Sequence, residues 1–235
     1  MASSTTPKKT FRVGVMLEAV QLSDIMGIDL LGNLSREYMD QVKGLSEEID
    51  LFDAHAFDME FFYMAPTLEP TLMTPGLRFY FKPNVTYDDC PRDLDIVITG
   101  GPLPTHQPPQ AAKFMKEAWT KTRVWMTTCT GSMWLASTGL LDGRKVTTNR
   151  CGLPLARQIY PGIEWLDQRW VVGEKPYDGS GGGKGELWTA GGAGAGIHMI
   201  ANYCLQNFDP KFVTALALDP LQFNPEESTG QFYAK

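Results

Sequence analysis

Among the four cysteines of the chain, Cys90, Cys129, Cys151 and Cys204, one occupies a position with chemical consequences. Cys129 stands between an apolar, β-branched run, VWMTT, and a helix-prone run, TGSMWLAST. A buried strand that turns abruptly into a helix carries the side chain at the turn beyond the carboxyl edge of the sheet, where open α/β proteins bind ligands. The first turn of a helix also offers unpaired N–H groups and the positive end of its dipole, so the thiol pKa is expected to be lowered. Sulfur so placed suits nucleophilic addition to an electrophilic carbon through a covalent intermediate. A second apolar run, DIVIT, ends in Gly100-Gly101. Backbone N–H groups there, together with that of Thr130, are expected to form an anion hole for charge developing on the adduct. The other three cysteines are read as small packing residues.

The elements that must position these groups follow from the pattern of apolar residues. Strand-like runs fall at residues 11–17, 60–64, 95–99, 123–128, 145–148, 165–172 and 186–189, with a small β excursion near 77–81. Helical spacing begins near Ser23, where Ile25, Ile28, Leu30, Leu31 and Leu34 recur and Ser23 or Asp24 can cap the first turn. Further helices are expected over 109–121, up to 138 after Cys129, over 153–159 and over 197–207. The alternation predicts an α/β fold with a doubly wound, flavodoxin-like parallel sheet and helices on both faces. Residues 1–10 read as a flexible tail before a single domain over 11–235. The Gly-rich stretch around Gly181 reads as a mobile hairpin loop without the order of a phosphate loop, and the glycines of 190–196 as close helix–strand packing.

The chain has 235 residues, 43% hydrophobic and 20% charged, with a formal net charge of -6. Such a composition excludes global disorder and argues against the nucleic-acid backbone as partner; a small-molecule substrate is expected. No CxxC pair, no secretory apolar segment and no run of about 18 apolar residues is present, so a reduced, cytoplasmic protein without a membrane span is expected. His55, His106 and His198 lack metal-ligand spacing, and neither metal nor cofactor is expected. His106 lies five residues after Gly101, at the mouth of the presumptive pocket, where a loop histidine beside two prolines is ordinarily solvated. Trp119, Trp125 and Trp134 read as core anchors.

The strings VQLSDIMGIDLL, ITGGP, TTCTGSMWLASTGLLDGRKVTTN and WTAGGAGAGI span most of the chain. On these the sequence resembles the ThiJ/PfpI superfamily (class I glutamine amidotransferase-like), in particular its isonitrile hydratase branch. The resemblance implies a catalytic Cys129, an oxyanion site at Gly100, Gly101 and Thr130, and an acid after the first strand. Matching D-x-x-G onto Asp24-Ile25-Met26-Gly27 makes Asp24 that acid, with Glu18 as the alternative. Thiol and carboxyl are expected to share one proton and titrate as a unit. The chemistry implied is hydration of an isocyanide to an N-substituted formamide, a lyase-type reaction, by a homodimer. Two departures stand out: Thr147-Thr148-Asn149-Arg150 replaces TTHW, and Ala195-Gly196-Ile197-His198 replaces AGID. Asn149 cannot act as a base near neutrality. Arg150 either lines the pocket, favouring an anionic or carbonyl-bearing substrate, or pairs with a surface acid. A lyase, isomerase or cyclase of a specialised pathway, a glyoxalase-type activity, and a non-catalytic redox sensor or chaperone-like dimer remain alternatives. The C-terminal segment, 215–235, is expected to cover the site or a subunit seam.

Overall fold

Side chains alternating along seven strands divide the hydrophobic core into two layers. The computed structural model describes residues 10–179, 183–225 and 233; the expected tail up to residue 9, the loop tip at Gly181 and most of the chain beyond Pro225 lie outside the described residues. The strands are β1 (Phe11–Met16), β2 (Met59–Ala65), β3 (Val85–Thr86), β4 (Ile96–Thr99), β5 (Val124–Thr128), β6 (Trp170–Lys175) and β7 (Gly185–Ala190). They form one sheet in the order β6-β7-β5-β4-β1-β2-β3. All neighbours are parallel except the hairpin pair β6 and β7.

On one face Val13, Val15, Ile96, Ile98 and Met126 pack with Leu30, Leu31 and Leu34 and with Met199, Ile200 and Cys204 of the helix Ala193–Asn207. On the other face Met16, Val97, Trp125 and Leu187 meet Phe114, Met115 and Ala118 of the helix Pro109–Ala118, and Trp134 and Leu135 of the helix Gly131–Ala136. Burial on both faces is why β4 and β5 read as continuous apolar runs rather than alternating ones. From β1 the chain first builds β2 on one side and then crosses to β4 on the other. The carboxyl ends of β1 and β4 therefore flank a topological switch point, the usual ligand crevice of such sheets.

Three local expectations are revised. The helix expected from Ser23 is a 3-10 turn, Leu22–Asp24, followed by a five-residue helix, Ile28–Gly32. The break has a packing cause: Gly27 lies against the long helix so closely that a Cβ there would be 2.3 Å from Ile200 Cδ1. Asp24 accordingly makes no capping hydrogen bond to this element. The strand expected over 165–172 divides, with Glu164–Trp165 pairing in parallel with Lys145–Val146 apart from the main sheet. Two short helices, Arg36–Val42 and Glu47–Asp50, were not foreshadowed; the hydroxyls of Ser35 and Ser46 cap them. Of the glycines over 190–196, Gly196 provides close packing, since a Cβ on it would sit 2.7 Å from the Thr128 side chain, whereas a Cβ on Gly192 or Gly194 would meet nothing within 4 Å. No helix among the described residues is long and apolar enough to cross a membrane.

Candidate functional site

Cys129 follows β5 directly, and the helix Gly131–Ala136 begins two residues later. Its φ is +58°, a left-handed conformation that L side chains adopt at a cost of roughly 1–3 kcal/mol and that persists only where its surroundings enforce it. The enforcing contacts are specific. The Cys129 N–H donates to the Ala190 carbonyl at 2.9 Å, and the Thr148 hydroxyl donates to the Cys129 carbonyl at 3.0 Å. The Thr130 hydroxyl donates to the Pro102 carbonyl at 2.7 Å, joining the turn after β5 to the turn after β4. The two turns approach so closely that a Cβ on Gly101 would fall 2.7 Å from the Thr130 nitrogen, and one on Gly131 2.5 Å from the Thr99 carbonyl oxygen.

Asp24 is buried, 3% exposed, and meets this junction from the β1 side. The Gly101 N–H donates to its Oδ2 at 3.2 Å, and its carboxyl is close enough to the Cys129 thiol for each to shift the titration of the other. Burial pushes the Asp24 pKa up to about 6, against the opposing pull of the Gly101 N–H and the Cys129 thiol. The Cys129 thiol is also raised above its ordinary value, first by burial and then by the Asp24 charge, while hydrogen bonds from Asn149 and Thr130 work the other way. The expected lowering of the thiol pKa is thus corrected: a helix of six residues does not outweigh desolvation and a neighbouring carboxylate. Burial thus disfavours the charged form of both members of the pair.

Asn149 supplies the remaining contact to sulfur. Its Nδ2 donates to Sγ at 3.3 Å while its Oδ1 accepts from the Cys151 N–H at 3.1 Å, which fixes the orientation of the amide. Glu18, the alternative acid, is engaged elsewhere: Tyr87 donates its hydroxyl to Oε2 at 3.0 Å, and His106 Nε2 lies 3.1 Å from Oε1. The His106 ring also meets Trp134 edge-on, centroids 5.6 Å apart. It is therefore a partly buried wall residue, not the solvated loop histidine expected. Nothing in the run NVTYDDC marks Tyr87 as a partner of Glu18; this contact had no sequence signal.

Several other expectations are corrected. The Gly101 N–H is committed to Asp24, and Gly100 is pressed against Val20, where a Cβ would meet Val20 Cβ at 2.9 Å. The anion hole expected from Gly100, Gly101 and Thr130 thus loses the Gly101 N–H, which is already engaged. Arg150 is no pocket residue: its Nε lies 2.9 Å from Asp167 Oδ1 and its guanidinium stacks over the Tyr233 ring at 4.3 Å. Its charge finds a surface carboxylate and an aromatic face instead of a ligand. Cys151 is exposed, whereas Cys90 and Cys204 are buried as packing residues. Trp119, Trp125 and Trp134 are core residues. No group of three His, Cys, Asp or Glu side chains poised to hold a metal ion occurs among the described residues.

Sulfur opens onto a cavity of about 670 Å³ whose walls include Ala19, Val20, Pro102, Leu103 and His106. Its volume lies within the range of small-molecule sites. Neither lysine nor arginine is among the described residues that line it.

Fold and site together define an open α/β protein with a thiol at the carboxyl edge of its sheet, beside the switch point. Residues 40–200, well over half of the chain, match the DJ-1/PfpI family, and the chain belongs to that family. It is 29% identical over 133 residues to the isonitrile hydratase of Pseudomonas putida, an alignment covering 55% of this chain and 51% of that protein. The match thus spans about half the length of that curated relative. A ThiJ/PfpI family protein from Pseudomonas syringae superposes with a TM-score of 0.68 at 16% identity, covering 95% of this chain and 79% of the other. An AraC family transcriptional regulator from Pseudomonas putida superposes with a TM-score of 0.62 at 10% identity, over 90% of this chain and 99% of the other. At such identities the structural likenesses speak for the fold alone.

Proposed function

We propose that this chain is a cysteine-dependent enzyme in which Cys129 adds to a small, neutral electrophile, most specifically an isocyanide that is hydrated to an N-substituted formamide. One observation carries the reading: a thiol beside a buried carboxyl group opens onto a cavity whose described lining is mainly apolar and holds no lysine or arginine. Such a lining favours an uncharged substrate with an apolar substituent. The similarity to the Pseudomonas putida isonitrile hydratase supports the same choice.

In this mechanism Asp24 takes the thiol proton as sulfur bonds to the terminal isocyanide carbon, and then gives the proton to that carbon. The product is a thioimidate, Cys129–S–CH=N–R, formed without charge separation beyond the cavity. A carboxyl group with a pKa of about 6 suits both halves of the transfer, because it neither holds nor releases a proton too firmly near neutrality. Water then adds to the same carbon, and the C–S bond breaks to release the formamide. Asn149 and the Thr130 N–H stabilise sulfur whenever it carries negative charge. Covalent addition replaces one difficult hydration by two easier steps. The working unit in this proposal is a homodimer, which sedimentation of the purified protein tests.

A thiol-directed addition to an aldehyde, of the glyoxalase type, uses the same pair and is the second reading. The sensor reading fares worse: a thiol held above its ordinary pKa is a poor target for peroxide, which oxidises thiolates. Turnover of simple alkyl isocyanides by the purified protein and by Cys129→Ser is the test. Formamide produced by the wild type and lost in the serine variant supports the assignment; equal formamide from both eliminates it.

A further inference from the structure

The reaction proposed above needs a base for its water, and Asn149 occupies the place where the family resemblance leads one to expect a histidine. A different imidazole shares the cavity with sulfur. His106 lines the same cavity as Cys129, on the loop that follows β4. The loop is pinned by its own hydrogen bonds, His106 N–H to the Leu103 carbonyl at 2.9 Å and the Gln107 amide to the Pro104 carbonyl at 3.0 Å.

Behind the ring stands an acid that the thiol pair leaves unused. Glu18 is 8% exposed, its Oε2 accepts the Tyr87 hydroxyl at 3.0 Å, and its Oε1 lies 3.1 Å from His106 Nε2. Nε2 makes this close approach to the carboxylate without a hydrogen bond of good geometry to any group. Trp134 closes the side of the ring at 5.6 Å between centroids. With Nε2 facing Glu18, Nδ1 is the ring nitrogen left for a molecule in the cavity. A carboxylate behind an imidazole fixes its tautomer and stabilises the cation formed when the ring takes a proton. A buried glutamate and tyrosine lined up behind a partly buried histidine would be a costly way to build a plain cavity wall, since each buried polar group needs a partner.

We propose that His106, positioned by Glu18 and Tyr87, is the catalytic base that activates water in the second half of the reaction. The inference rests on the function proposed above. His106 Nδ1 takes a proton from water as its oxygen bonds to the thioimidate carbon and the C=N π pair moves onto nitrogen, which receives that proton back from the ring. Asp24 then accepts the hydroxyl proton as C=O forms and the C–S bond breaks with its electron pair on sulfur, and Asp24 returns the proton to sulfur. The sum is one water added to one isocyanide, with both acid–base groups restored.

Rapid-quench mass spectrometry with an alkyl isocyanide separates the two halves. In His106→Gln the adduct on Cys129 is expected to form at the wild-type rate and to break down about 100-fold more slowly, so that it accumulates. In His106→Ala added imidazole is expected to restore breakdown, a rescue no structural role would produce. Glu18→Gln is expected to leave adduct formation intact while shifting the pH profile of breakdown; the titratable groups facing the ring are Glu18 and Tyr87 behind it, with Cys129 and Asp24 at the thiol junction. Breakdown at the wild-type rate in His106→Gln, formation and breakdown falling together, or no response to imidazole would each overturn the role of His106 while leaving Cys129 chemistry standing. Absence of both adduct and formamide in the wild type refutes the function itself, and this role with it.

Discussion

Replacing Asp24 by asparagine should make the protein more stable at alkaline pH while impairing it as an enzyme. The carboxyl pKa is raised from 3.8 to about 6 by burial, so the native state binds more protons than the unfolded chain between those values. Stability attributable to this group is therefore full in acid and lost as pH rises through that window, leaving an ionised carboxylate buried at pH 8. A rise of this size corresponds to at most about 3 kcal/mol, and relaxation around the charge brings the expected difference to about 1–3 kcal/mol. Asparagine retains an oxygen for the Gly101 N–H and carries no charge. Asp24→Asn should accordingly melt several degrees above wild type at pH 8, at about 2–4 °C per kcal/mol for a chain of this size, with the advantage shrinking toward pH 4. Paired thermal melts across this range, taken as differences between the two proteins, cancel every other titrating group. An asparagine variant that is less stable than wild type by the same amount at every pH would refute the reasoning.

Four further outcomes follow from the same geometry. Because Asp24 must be ionised to receive the thiol proton, kcat/KM for adduct formation should fall as pH drops below about 6, and the profile should flatten in Asp24→Asn. Arg150→Ala should leave kcat/KM unchanged, since its partners are Asp167 and Tyr233; a large loss would return this residue to the pocket. Gly131→Ala should destabilise the fold by at least about 2 kcal/mol in urea titrations, because the new Cβ would lie 2.5 Å from the backbone oxygen of Thr99. Asn149→Ala should raise the thiol pKa, read from the pH dependence of alkylation, since the amide that donates to Sγ at 3.3 Å is removed.

Residues differ in how far their surroundings could be read from the chain alone. The runs IVIT and VWMTT announce β4 and β5 because strands covered on both faces need no polar alternation, and the junction after VWMTT locates Cys129. The helix Leu153–Ile159 is equally legible, bounded by Pro161 and carried by local spacing. The turn holding Asp24 is not, because Ile25 and Ile28 mimic helical spacing and the break comes from Gly27 meeting Ile200, far away in sequence. Arg150 admitted two readings, and only the position of Asp167 decides between them. The direction of the thiol pKa shift is not legible in the sequence for a similar reason: the helix terminus is local and visible, whereas burial and the Asp24 charge arise from chain folding. The D-x-x-G match favours Asp24 over Glu18, but the engagement of Glu18 by Tyr87 and His106 has no local signal.

The central claim is that one sulfur makes the bond to substrate, and peptide mapping after brief exposure to an alkyl isocyanide tests it directly. Cys151 provides an internal control, being exposed to solvent and outside the Asp24 pair. The account predicts the thioimidate mass on the peptide carrying Cys129 and none on that carrying Cys151, with no label in Cys129→Ser. Label on Cys151 alone, with Cys129 untouched while formamide still forms, would contradict it.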